Sequence, residues 1–127
     1  MMNDSKDILS KTLLIILLLS TLVTLFILNL TPPISRDALT HHLYLPKLYN
    51  FNGSMYEIHD LIHSYYPGNL EILYRYALQI GPDNLPKFIH MVFGCAIAWL
   101  IYLHLKNRIG RNWGLLGSLL FISTPIV

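Results

Sequence analysis

The stretch from Arg36 to Lys47, RDALTHHLYLPK, sets an arginine, an aspartate, two histidines and a lysine within twelve positions. A carboxylate acts as a general base best when partial desolvation raises its proton affinity, and Asp37 is the first candidate for that role. An aspartate at the start of a helix also favours the positive end of the macrodipole with no chemistry at all, so spacing leaves both explanations open. His41 falls one helical turn after Asp37, where the two could share a hydrogen bond on one face. His42 points about 100° away in a regular helix. A second histidine pair, His59 and His63 in EIHDLIHSYYP, is spaced i, i+4. On a short helix that spacing presents two metal ligands, although no third ligand follows at diagnostic spacing. His90 and His104 lie near the ends of an apolar segment, where positions at a membrane interface account for them. Cys95 is the sole cysteine and sits inside that segment, which excludes a disulfide or a cysteine metal site.

The elements that must position these residues are apolar. Hydrophobic residues make up 54% of the 127 and charged residues 13%, about half the roughly 25% usual in soluble domains. A membrane protein follows directly. The net charge of +2 and the lack of a basic run argue against nucleic acid as a partner. Residues 12–30, TLLIILLLSTLVTLFILNL, carry no charge, and at about 1.5 Å per residue they approach the roughly 30 Å hydrocarbon thickness. A cleaved signal peptide has a shorter apolar core and a small-residue cleavage site. This run is longer and ends in TPPIS, so it reads as an uncleaved anchor. Residues 87–105 form a second span. A third begins at Trp113 and reaches Val127, about 22 Å as helix, short of a crossing. The expected fold is therefore all-α and integral to the membrane, with two full transmembrane helices and an incomplete third. The chain reads as the front end of a longer protein whose further helices are its partners.

Basic residues near the spans set the orientation. The connection 106–112 carries Lys106, Arg108 and Arg111 with no acid, whereas residues 31–85 carry three basic residues against five acids. Residues 1–11, with Lys6 and Lys11, are accordingly cytoplasmic, as is 106–112. The loop 31–86 is extracytoplasmic, and the chain is a multi-pass protein of the cell membrane. The loop holds seven tyrosines, unlike a disordered tether. Ser35 is suited to N-cap a helix from Arg36 or Asp37 whose Leu39 and Leu43 share one face, Tyr44 falling near it, and which is kinked or ended by Pro46. A second helix follows Pro67-Gly68, presents Leu70, Leu73, Tyr74 and Leu78, and stops at Gly81-Pro82. Both are amphipathic and aromatic-rich, as interfacial helices are.

The order of these parts, a span, PPISRDALTHHLYLPKLY, SYYPGNLEILY and a second span, resembles the N-terminal portion of GT-C-type integral-membrane glycosyltransferases. The nearest group within them is the protein mannosyltransferase and lipid A aminoarabinose transferase-like one. The resemblance covers essentially the whole chain. Asp37 matches the acid that the family places soon after its first helix, and Tyr65 to Tyr74 matches its proline-aromatic segment. Two departures stand beside the match: Ala38 takes the place of a second acid found in many members, and no lysine precedes the proline pair. The resemblance implies transfer of a sugar from a polyprenyl-phosphate donor to an acceptor hydroxyl at the outer face. In that chemistry Asp37 is the base, and Arg36, His41, Lys47, Tyr65 and Tyr66 help to form the cavity. A cationic group, or a divalent cation, stabilises the departing lipid phosphate. Family members need later helices to enclose the donor, so this chain alone is expected to be inactive. The competing expectation is a small non-enzymatic membrane protein or assembly subunit with a surface-lying loop.

Overall fold

The computed structural model describes residues 2–124, with side chains from Lys6 onward. Among the described residues all regular structure is helical, in the order α1 (Met2–Leu30), a π-helical turn (Ala38–His42), α2 (Tyr44–Asn52), a 3₁₀ turn (Ile62–Tyr65), α3 (Asn69–Ile80), α4 (Leu85–Ile109) and α5 (Arg111–Ser123). The sequence expectation of an all-α chain holds. Two stretches, Lys6–Leu30 and Leu85–Ile109, are long and apolar enough to cross a membrane. The segment expected over 113–127 falls on the helix α5, which begins at Arg111 and ends at Ser123; residues 125–127 lie outside the described residues. The chain divides into two compact units, Met1–Leu28 with His90–Val127, and Asn29–Ile89.

In the first unit α1 carries its apolar side chains outward: Leu13, Ile16, Leu19, Val23 and Ile27 are each more than half exposed. The hydroxyls along it are turned inward, with Thr21 donating to the Leu17 carbonyl and Thr24 to that of Ser20, both at 2.9 Å. Such back-bonding satisfies each hydroxyl within its own helix. α4 opens with Pro86 near its start, where the missing N–H is harmless, and ends at Ile109. Gly110 makes the turn into α5 at φ +115°, a conformation that disfavours any side chain. α5 then packs closely on α4. A Cβ at Gly114 would lie 2.9 Å from the Tyr102 carbonyl oxygen. One turn on, the buried Ser118 hydroxyl donates to the Ala98 carbonyl at 2.8 Å. This is small-residue packing, in which missing side chains let backbones approach. Asn112 donates to the Asp7 carboxylate and to Ser10, tying the first turns of α1 to the start of α5.

The second unit is closed at its base. Asn84 donates to the Leu30 carbonyl at 3.3 Å and Lys87 to that of Thr31 at 2.9 Å, satisfying acceptors at the end of α1. The chain between them folds on itself. Leu43, Leu45, Pro46, Tyr49, Tyr74 and Ala77 form its core, with α2 lying against α3. Ser35 caps as expected: its Oγ accepts the Ala38 N–H at 3.2 Å. The helix then widens, and the Leu43 N–H bonds to the Ala38 carbonyl at 2.9 Å, an i→i+5 closure.

Pro46 explains the widening and corrects an expectation. In an unbroken α-helix its ring would strike the His42 carbonyl, four residues back. The break falls ahead of it, at Leu43 (φ −108°), and Pro46 lies buried in the first turn of α2, where no N–H is needed. It neither kinks nor ends a helix. The widening also re-aims the first face: Leu43 is buried, but Leu39 (54%) and Tyr44 (45%) are exposed. α3 runs as expected between Gly68 and Gly81, but it buries Tyr74 and Ala77 and leaves Leu73 exposed.

Candidate functional site

The second unit holds a recess of about 310 Å³, near the lower end of the usual range for small-molecule sites. Its ionisable wall is made by His41 and His42 from the π turn, His63 from the 3₁₀ turn and Glu71 from the first turn of α3; Tyr49 and Tyr66 supply aromatic surface. The His41 and His63 rings stack with centroids 4.0 Å apart and planes 14° from parallel. His42 lies 4.2 Å from His41, and Tyr66 meets His63 edge-on at 5.6 Å. The Glu71 carboxylate, placed at the positive end of α3, lies 3.3 Å from His42 Nδ1.

Local sequence explains how His63 arrives there. Ser64 Oγ accepts the Ile58 N–H at 2.9 Å and lies 2.7 Å from the Leu61 carbonyl, where it donates. These bonds curl residues 58–64 into a tight loop and fix the 3₁₀ turn against the π turn. The electrostatics follow from the crowding. Burial first, then the neighbouring His42 and His63, lower the pKa of His41, while Asp37 and Glu71 oppose the shift. His41 is thus held toward the neutral imidazole, which can accept a proton. Burial, Glu71 and Tyr56 raise the pKa of Tyr49, so its phenol stays protonated.

The residues singled out from sequence distribute unevenly over this geometry. His41, Tyr66 and His63 line the recess. Asp37 is exposed on the first turn before the π turn, and its charge reaches His41. No hydrogen bond joins Asp37 to His41; the His41 Nδ1 instead pairs with Thr40 Oγ1 at 3.2 Å. Arg36 is exposed, as is Tyr65, which does not line the recess. Lys47 is paired with Asp83, away from the recess. Arg75, another cation of the loop, is bound to structure: its Nε donates to Asn50 at 3.1 Å and a terminal nitrogen donates to the Gly53 carbonyl at 3.0 Å.

His59 and His63 do not share a helix. His59 lies in a turn before the 3₁₀ segment, so the i, i+4 relation that would present two ligands is not formed. Among the described residues no group of three or more ligating side chains is arranged to hold a metal ion.

Sequence reasoning passed over His42, Glu71 and Tyr49. A regular helix would turn His42 about 100° from His41; in the i→i+5 turn the two rings lie 4.2 Å apart. Glu71 carried one usable signal, an acid at the first turn of a helix after Pro67-Gly68. No protein-family model matches the chain, and no curated protein or solved structure matches it either.

Proposed function

We propose that this chain is the N-terminal part of a membrane glycosyltransferase. In it, the unit Asn29–Ile89 faces the outer side of the membrane and receives a sugar carried on a polyprenyl phosphate. One observation carries this reading. The two segments that bear the family resemblance are well separated in sequence, yet they line one recess: His41 and His42 come from the first, and Tyr66 and Glu71 from the second. Two helices long enough to span a bilayer lead into and out of that unit, which supports multi-pass membrane association. Asp37, exposed and electrostatically coupled to His41, is the base that takes the proton of the acceptor hydroxyl. His41 and Tyr66 orient the sugar, and Arg36 is the loop cation left to meet phosphate.

In membranes containing the complete gene product, Asp37→Asn is expected to lower sugar transfer from a polyprenyl-phosphate donor by about 10²–10⁴-fold. Asp60→Asn, in the same loop, should leave transfer unchanged. Transfer retained by Asp37→Asn sinks the assignment.

A specific observation favours the second reading, a non-enzymatic membrane protein. Two of the loop's cations, Lys47 and Arg75, are committed to internal bonds, as in a scaffold. Under it, Asp37 serves only the helix start, and no donor is consumed whatever stands at position 37.

A further inference from the structure

The first unit contains a recess that sugar transfer does not use. It has a volume of about 380 Å³ and runs along α5, whose Arg111, Leu115, Ser118 and Ile122 line it at successive turns. Trp99 and Tyr102 of α4 face it, with Leu18 and Leu22 of α1. Apart from Ser118, whose hydroxyl is spent on the α4 and α5 backbone, the stripe is apolar until it reaches Arg111. A second cation stands at the same end: Lys106 Nζ lies 5.7 Å from the centroid of the Tyr102 ring. The bonds from Asn112 to Asp7 and Ser10 bring the start of α1 to that end as well. Arg111 and Lys106 thus stand together at this end, and the sequence adds Arg108 beside them and Lys6 and Lys11 in the first turns of α1. The Asp7 carboxylate accepts from Asn112, and among the described residues no carboxylate pairs with Arg111.

An apolar cleft that ends in a cluster of cations matches a molecule with a long hydrocarbon part and one anionic end. We infer that this cleft binds an acidic phospholipid, with an acyl chain along α5 and the phosphate against Arg111 and Lys106. Guanidinium groups hold phosphate through paired N–H donors, and basic groups beside membrane helices recruit acidic headgroups. A zwitterionic lipid fills the same groove but brings its own cation to the basic end, so it binds more weakly. The inference rests on membrane association and not on sugar transfer.

The two tryptophans provide the test. With Trp113→Phe, Trp99 in the cleft becomes the only indole. The full chain in neutral detergent micelles is titrated with phosphatidylglycerol or phosphatidylcholine brominated in the acyl chain, and quenching of Trp99 is followed. Quenching is expected at a several-fold lower fraction of phosphatidylglycerol than of phosphatidylcholine. That preference should fall to near parity in Arg111→Gln and return in part in Arg111→Lys, which also guards against misfolding. Equal quenching by both lipids, or a preference that survives Arg111→Gln, overturns the site. Flotation of the same protein with phosphatidylcholine vesicles reports membrane association separately. A chain that floats but shows no preference therefore refutes the lipid site alone, and one that neither floats nor is quenched refutes both.

Discussion

His41 is the residue on which the recess turns. It lies among His42, His63, Asp37 and Glu71, and burial is the first cause of its lowered pKa. The folded unit therefore binds its proton less readily than the unfolded chain, whose histidine titrates near 6.5. A depressed histidine contributes stability above that value and loses it as pH falls toward the folded pKa. Hydrogen exchange of amides in Asn29–Ile89 should accordingly quicken as pH drops below about 6.5, beyond the intrinsic pH effect. His41→Gln should flatten that change. A wild-type and His41→Gln pair with parallel profiles would contradict it. Tyr49 marks the opposite limit. Its raised pKa gives stability that is complete below pH 10 and is lost only at higher pH, as the phenol ionises.

At the scale of elements, the α4–α5 pairing depends on what its side chains lack. Gly114 faces the Tyr102 backbone so closely that a methyl group would come within 2.9 Å of a carbonyl oxygen, and backbone cannot step aside as a side-chain tip can. Gly114→Ala should cost about 1–3 kcal/mol, the usual penalty of overpacking, read as a lower midpoint of denaturant unfolding in micelles. A change at exposed Leu120 to Ala should leave the midpoint almost unmoved. The long helices were legible from sequence because a run of some twenty uncharged apolar residues has few other uses. So was α3, bracketed by Pro67-Gly68 and Gly81-Pro82. The region between Ser35 and Asn52 was only half legible. Ser35 announced its cap, but Pro46 invited a break at itself, and the chain resolved the clash upstream with a turn of different period. That one change of register exposed Leu39 and Tyr44 and brought His42 beside His41. His63 came to the site through Ser64 and a loop fold that no spacing rule describes. A tertiary arrangement made by bonds between distant residues leaves little trace in local periodicity.

For the molecule as a whole, the proposed sugar transfer requires that the unit Asn29–Ile89 face the outer side of the membrane. Under that proposal Lys106, Arg108 and Arg111 stay on the cytoplasmic side, as expected if translocating short basic segments is disfavoured. The unit Asn29–Ile89 would then lie outside, closed at its base by Asn84 and Lys87 on residues 30 and 31. Orientation is read directly once the native thiol is removed by Cys95→Ser. In that background Ser54→Cys, in the exposed turn after α2, and Asn107→Cys, in the exposed last turns of α4, report opposite sides. A membrane-impermeant maleimide should label the Ser54→Cys protein in intact cells. The Asn107→Cys protein should react only after the membrane is opened. The reverse pattern would place the recess in the cytoplasm, where a donor presented at the outer face cannot reach it, and would remove the ground for Asp37 as its base. Labelling of both positions in intact cells would mean that the two apolar helices do not hold the chain across a bilayer.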